Sequence, residues 1–390
     1  MKILYLTSVS MTEHSGVSKK IKAQCEALEY LKNEIDLCYI NRNNEFCISR
    51  ELYKNGEYNI LKKFKLSSKV LKKIYALRLI YNYKDVINYI KNNNYEIIYI
   101  RYIYSSNIGF INFLKKIKKI NKNIKIIVEI PTYPYDVELL KSSFLDKIRF
   151  LQENYYRKKL KKYVDRIVTF SNDNEIFGIK TIKINNGIDI NQISIIKRLK
   201  KQKNKEISFI SVAQIAFWHG IDRFILAMGE YYKNNPKDII KFHIVGNGNK
   251  EIMEELKKLV KENNLDDYII FYGYKSGKDL DEIYNKSDIG IGSLGNFRKG
   301  ILNGGALKNQ EYCAKGLPFI IAGYDDNYKD VDFMYKVTAD ESLINLNEII
   351  NWYKNLQVTS EQIRKYVEDN LTWDIQMKKV VDYILETEEK

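Results

Sequence analysis

At 390 residues, with 45% hydrophobic content and 31 tyrosines and 16 phenylalanines, the chain is too long for one ordinary core and too apolar for disorder, which predicts two folded domains. No apolar run approaches the roughly 18 residues of a membrane-spanning helix. The four cysteines (Cys25, Cys38, Cys47, Cys313) show neither CxxC nor zinc-ligand spacing, so a zinc module is excluded and reduced thiols are expected. The formal net charge of +15 gathers at Lys62-Lys63, Lys72-Lys73 and the runs 115–119, 157–162 and 197–205. Helix-turn-helix, zinc-finger and RNP signatures are missing, so nucleic acid is not expected as a partner; an anionic membrane surface is kept, alongside plain solvation of a lysine-rich composition of the kind AT-rich coding produces.

Residues 2–9 form a largely apolar, β-branched run, the pattern of a strand buried on both faces of a parallel sheet. The N-terminus therefore starts in a strand, in place of a signal peptide. Gly16 precedes a helical pattern over 17–31, which sets backbone at the carboxyl edge of the sheet, where open α/β folds bind ligands; the full GxGxxG fingerprint is absent, so no dinucleotide is implied. Strand patterns at 35–40, 95–100, 124–130, 165–171 and 179–184 alternate with lysine-rich amphipathic helices near 68–91 and 107–121. Within them, 62–78 mixes basic and apolar residues in the manner of an interfacial segment. The stretch EIPTYPYD (129–136) stands at a strand end and holds two of the four prolines, so its backbone is fixed in an extended path; Glu129 and Thr132 are its candidate polar groups. Asn185-Asn186-Gly187-Ile188-Asp189 closes the first half, and the aperiodic, charged run 197–205 reads as a linker.

The second half restarts with a strand over 207–212, followed by QIAFWHGIDR (214–223), in which Gly220 lies near the start of a helix reaching 233. A strand at 242–245 runs into the Gly246-Asn247-Gly248 corner, then a helix over 250–264 and a strand over 268–272. Residues 288–294 read as a strand, Asn303-Gly304-Gly305 as a tight turn, 306–314 as a helix capped by Gly316, and 317–322 as the next strand. Such a βαβ unit presents free backbone N–H groups at a helix N-terminus, where the partial positive charge favours phosphate. Lys308 and Glu311 project from the first turn and a half; lysine suits a phosphate, and a carboxylate can take two hydroxyls of a ribose. A last helix is predicted over 375–385.

The order of these pieces, and above all LKNQEYCAKGLPFI (307–320), resembles family-4 retaining glycosyltransferases of the GT-B fold, the glycosyltransferase group 1. The resemblance implies an α/β architecture of two Rossmann-like domains with parallel sheets facing across a cleft: an acceptor domain over 1–190, a basic linker over 191–205, a nucleotide-sugar domain over 206–370, and a C-terminal helix over 371–390 returning to the first domain. It assigns the ribose to Glu311, the donor to Gly246, Gly304, Gly305, Ala306, Leu307 and Lys308, and a place near donor phosphate and acceptor to Gly16. Tyr274 would lie beside the base. Three positions depart from the family pattern: Asn303 stands where many members carry a second glutamate, Gln214 and His219 stand where an arginine and a lysine grip the diphosphate, and no histidine ends the strand at Glu129. A histidine is only partly charged near pH 7, so Lys308 is expected to carry more of the phosphate.

No DxD element stands at a strand end and no His-Cys-Asp cluster is visible, so no metal is expected and no cofactor beyond a nucleotide-sugar co-substrate, UDP-linked in preference to GDP-linked. Charge on the leaving diphosphate would be met by Lys308, His219 and the helix dipole, with Glu129 the nearest carboxylate to the donor sugar. No nucleophile is evident; same-face attack needs none, since the departing phosphate takes the acceptor's proton. The implied function is retaining, metal-independent transfer of a hexosyl group to a glycan or lipid-linked acceptor, in bacterial surface polysaccharide or glycoconjugate synthesis, in the cytoplasm and peripherally on the inner face of the cell membrane. Two other classes stay open: a nucleotide-sugar epimerase or hydrolase, and a catalytically idle partner of another transferase, which Gln214, His219 and Asn303 keep in play.

Overall fold

The structure, a computed structural model, describes residues 1–12, 15–104, 106–136, 144–196, 206–302 and 305–386. The chain divides into two compact units, one formed by Met1–Gly187 with Trp373–Lys390 and the other by Ile188–Thr372. The expected basic linker at 197–205 lies outside the described residues.

The first unit is built on β1 (Lys2–Thr7), β2 (Glu34–Asn41), β3 (Cys47–Lys54), β4 (Glu57–Lys65), β5 (Ile97–Arg101), β6 (Lys125–Ile130), β7 (Arg166–Thr169), β8 (Glu175–Ile176) and β9 (Ile179–Lys183), ordered β4-β3-β2-β1-β5-β6-β7-β9-β8. The block from β2 to β9 is parallel, and α1 (Gly16–Tyr30), α2 (Lys69–Tyr81), α3 (Lys84–Lys91), α4 (Ile108–Ile120) and α5 (Phe144–Arg157) intervene in sequence. β1, β5 and β6 are buried along nearly their whole length, as their continuous apolar runs require. Two features depart from the expected alternation. An antiparallel β2–β3–β4 meander extends one edge, turning between β3 and β4 at Asn55 (φ 49°) and Gly56 (φ 86°), the paired left-handed residues of a tight hairpin. The expected helix over 68–91 is two helices, because the Asn82 N–H closes α2 onto the Arg78 carbonyl in an extended conformation.

The second unit is a six-stranded, all-parallel sheet of β10 (Glu206–Val212), β11 (Ile239–Val245), β12 (Ile269–Gly273), β13 (Ile289–Ile291), β14 (Phe319–Ala322) and β15 (Met334–Val337), ordered β12-β11-β10-β13-β14-β15. α6 (Ile221–Lys233), α7 (Lys250–Glu262), α8 (Gly277–Asn285), α9 (Leu307–Ala314), α10 (Leu346–Asn355) and α11 (Ser360–Asn370) complete it. Alternate strand residues feed two cores: Phe209 packs with Phe224, Met228 and Phe242, while Ile210 and Ile321 pack with Tyr284, Tyr312 and Phe319. The strand order reverses between β10 and β13, and in a doubly wound sheet the crevice beyond the carboxyl ends of those two strands is the place for a ligand.

The last helix, α12 (Trp373–Glu386), belongs to the first unit. Trp373, Met377, Val380, Val381 and Ile384 join Ile3, Tyr5, Ile21 and Leu28 in one buried cluster, and the fully buried Gln376 accepts the Asn185 N–H at 2.8 Å.

Candidate functional site

In the second unit, α9 is pressed against the strand-order reversal by Tyr312. Its buried hydroxyl accepts the Val212 N–H at the end of β10 (3.1 Å) and donates to the Ile291 carbonyl at the end of β13 (2.9 Å). A Cβ at Gly290 would stand 2.5 Å from the Tyr312 ring, and one at Gly292 would stand 2.8 Å from Asn309 Oδ1. The Gly-Ile-Gly spacing of β13 is therefore what lets α9 approach, and Tyr312, unremarked in the sequence reading, is the residue that positions it.

Two loops leave this edge and are stapled to each other. The first carries exposed Gln214, a short turn over Phe217–His219, and Gly220 with φ 65°. A Cβ on Gly220 would come within 2.7 Å of the Gly295 nitrogen, and the His219 carbonyl accepts the Leu294 N–H at 2.9 Å. His219 Nδ1 accepts the Ala216 N–H at 3.0 Å, so the neutral ring carries its proton on Nε2. Burial first, then the Lys308 charge, pushes the imidazole down to about 4. This corrects the expectation of a partly charged histidine: near pH 7 His219 is a neutral N–H donor.

The second loop leads into α9. Ala306 is its N-cap and has no side chain to occupy the free N–H groups of the first turn. Gly305 and Leu307 are exposed; Asn303 and Gly304 lie outside the described residues. Lys308 follows. Its stem is partly exposed, but its ammonium is buried without a hydrogen-bond partner among the described residues, and that burial pushes it down to about 7. Glu311, three residues on and thus on the same helical face, has its carboxyl raised by burial, against the pull of the nearby Tyr284 hydroxyl and the Lys315 ammonium. Lys315 is itself paired with Asp281. The edge thus gathers an uncapped helix N-terminus, a buried amine, a neutral N–H donor and a half-buried carboxylate, which suits a diphosphate joined to a diol.

Other expected residues are placed differently. Gly246 follows β11 with φ 122°, donates to the Gly273 carbonyl at 2.8 Å, and leaves no room for a Cβ, which would meet the Ala213 carbonyl oxygen at 1.8 Å; its glycine is required by the chain itself. Tyr274 is 75% exposed, so its ring is free to stack. In the first unit, Gly16 opens α1 behind the Ser15 cap, where a Cβ would meet nothing within 4 Å. One turn on, Lys20 lies 3.6 Å from the Phe170 ring centroid and donates to Asn186 at 2.8 Å; burial lowers it to about 8. Glu129 is fully buried: one carboxylate oxygen pairs with Arg101, and the other accepts from Gln24 (2.8 Å) and Tyr99 (2.7 Å). It presents a structural ion pair and no accessible oxygen for proton transfer, contrary to its expected place beside the donor sugar. Its buried partners come from α1 and β5, a convergence that only the folded sheet reveals. Among the described residues no group of His, Cys, Asp and Glu has the arrangement of a metal site.

Residues 192–369, nearly all of the second unit, match the family model described as glycosyl transferases group 1. No curated protein matches the chain by sequence. Among solved structures, the chain is similar to sucrose-phosphate synthase from Thermosynechococcus elongatus (15% identity, TM-score 0.62, covering 99% of this chain and 100% of that one). It is also similar to the lipopolysaccharide outer core galactosyltransferase WaaB (14% identity, TM-score 0.59, 99% and 100%) and to HepE of Anabaena in complex with UDP (13% identity, TM-score 0.59, 99% and 100%). The architecture is therefore GT-B, two units each built on a largely parallel sheet, and its second unit carries the group 1 glycosyltransferase pattern.

Proposed function

We propose that the protein transfers a sugar from a nucleotide-sugar donor, UDP-linked in preference to GDP-linked, to a glycan or lipid-linked acceptor. The observation that carries this reading is the buried Lys308 ammonium, without a hydrogen-bond partner among the described residues, beside the uncapped first turn of α9: an unpaired buried amine is costly, and a diphosphate relieves the cost. The Lys308 ammonium, the N–H groups of α9 and the Nε2–H of neutral His219 would bind the diphosphate and meet the charge that grows on it as the glycosidic bond breaks. Glu311, held on the same face of α9, would accept the ribose hydroxyls, and Tyr274 would stack on the base. The Asn303 amide would hydrogen-bond the donor sugar. The exposed Gln214 would add a neutral donor to the same phosphate.

Retention of configuration without a metal is the proposed course, the set serving to stabilise a departing diphosphate. Under same-face attack the acceptor hydroxyl gives its proton to the leaving phosphate oxygen, and the chain's part is to hold and orient both. The HepE structure contains UDP, which favours testing UDP-sugars first. Surface polysaccharide or glycoconjugate synthesis at the inner face of the cell membrane is the setting this proposal fits.

The test is nucleotide release from a panel of UDP-, GDP- and ADP-sugars, with and without chelator, for wild type and Glu311→Ala. Chelator-resistant turnover of one donor class, lost in the variant, supports the proposal. Absence of binding to every donor would overturn it in favour of an idle partner of another transferase.

A further inference from the structure

Two helices of the first unit expose apolar stripes side by side. On α2, Ile74, Leu77 and Tyr81 recur at i, i+3 and i+7 and are 52%, 41% and 37% exposed. On α5, Leu151 and Tyr155 recur at i and i+4 and are 66% and 60% exposed. The stripes meet: the Tyr81 hydroxyl donates to Gln152 at 3.4 Å, and a Cβ on Gly109 would reach the Tyr81 carbonyl oxygen at 2.1 Å, which brings the 51%-exposed Ile108 beside them. A contiguous apolar surface of this kind is uncommon without a partner.

The surroundings say which partner. Residues 57–81, the strand β4 and the helix α2, contain seven lysines and arginines and one acidic residue, Glu57. Phe64 of β4 stacks on Tyr75 of α2 with centroids 4.6 Å apart, and Lys62 and Arg78 each lie 5.5 Å from the Phe64 ring, so this basic strand and the basic side of the helix form one rim. Lys62 and Lys73 are exposed on it. On the other helix, Lys159 lies 4.2 Å from the centroid of the Tyr155 ring. An apolar centre of Ile, Leu and Tyr within a basic rim nearly free of acid complements the headgroups and upper acyl chains of an anionic bilayer; a protein partner would need an acidic ring around an apolar knob.

We propose that the α2–α5 face of the first unit is a docking surface for anionic lipid bilayers, with Ile74, Leu77, Tyr81, Ile108, Leu151 and Tyr155 entering the interface and the lysines and arginines of 57–81 meeting the phosphates. The proposal gives a location and a lipid class to the membrane setting of the proposed function, and it is testable without any donor sugar, so its failure and the failure of the transferase reading are separately visible.

The experiment is co-sedimentation of the full chain with vesicles of phosphatidylcholine alone or with about one-third phosphatidylglycerol, at low salt and at about 0.5 M salt. Wild type should bind the anionic vesicles roughly tenfold more strongly than the neutral ones. Leu77→Ser with Leu151→Ser, both exposed and so without effect on the melting temperature, should lower the binding that survives high salt by roughly tenfold. Lys62→Glu with Lys73→Glu should abolish the preference for anionic lipid. Equal binding of wild type to both vesicles, or an anionic preference untouched by either pair of changes, would overturn the proposal. So would Leu77-dependent self-association without vesicle binding, which would make the face a protein contact.

Discussion

Lys308 titrates where a phosphate-binding lysine ordinarily would not, and that supplies a quantitative test of the second unit's site. Its ammonium is pushed down to about 7 by burial, whereas an exposed lysine titrates near 10.5. A diphosphate that pairs with it restores the charged form, so binding takes up a proton whenever the free amine is neutral. Above pH 7 the dissociation constant for a UDP-sugar should therefore weaken by about one power of ten per pH unit until the complex itself titrates. A nucleotide-sugar diphosphate has no proton to exchange in this range, and His219, held near 4, does not titrate there either; Lys20 of the first unit, at about 8, does, so the part of the uptake lost in Lys308→Met is the part that reports Lys308. Calorimetric titration at pH 7 and 8.5, in buffers of different ionisation enthalpy, should show proton uptake rising from about one-half towards one. Lys308→Met removes a charge-assisted contact of about 1.5–3 kcal/mol, a weakening of roughly 10- to 150-fold at pH 7, and should leave affinity flat with pH. The sign for the unliganded fold is fixed by the same shift. The folded pKa lies below the unfolded one, so the unfolded chain holds the proton between about 7 and 10.5, and stability should rise with pH across that window more steeply in wild type than in Lys308→Met, where lowered lysines such as Lys20 still contribute. A pH-independent affinity in wild type, or an equally steep one in Lys308→Met, would refute the assignment.

Three further outcomes are expected. Glu311→Ala should weaken nucleotide-sugar binding by roughly 10- to 100-fold, with a melting temperature close to wild type, because the carboxylate is placed for a ligand and not for the core; isothermal titration beside thermal unfolding separates the two. Glu129→Gln should destabilise the first unit by about 3–5 kcal/mol in urea unfolding, since it leaves Arg101 buried without its counter-charge, while turnover per folded molecule stays near wild type; a selective loss of turnover would reinstate a catalytic Glu129. Gly246→Ala should cost at least about 1–3 kcal/mol, as the new Cβ adds a collision with the Ala213 carbonyl to a left-handed φ, and unchanged stability would contradict the loop geometry.

Periodicity made most of the fold legible, because buried parallel strands are continuous apolar runs: β1, β2, β5, β6 and β10 fall within a residue or two of the expected ranges. The β3–β4 hairpin escaped because β4 faces solvent along most of its length and alternates poorly, although Asn55-Gly56 is a strong hairpin signal that could have found it. In the site, the helix start, Lys308 and Glu311 were readable from local order. The charge state of His219 was not, since it depends on an Ala216 hydrogen bond, burial and a lysine distant in sequence. Glu129 was misleading for a similar reason: its partners Gln24, Tyr99 and Arg101 come from separate stretches, and only their convergence shows a carboxylate already engaged. Tyr312 resembled any core tyrosine until its hydroxyl was found bridging two strand ends.

The place of α12 has a consequence for how the protein is made. The first unit's cluster around Ile3, Tyr5 and Ile21 is closed by Trp373, Met377 and Ile384, residues that the ribosome delivers only after the whole second unit. The second unit, uninterrupted from Ile188 to Thr372, can finish folding while the first still shows an uncovered apolar face to the translating complex. Emergence of α12, and not of residue 187, is thus the event that completes the N-terminal half. A chain stopped at residue 372 should expose that face permanently and depend on chaperones, with its damage lying in the domain most remote in sequence from the cut.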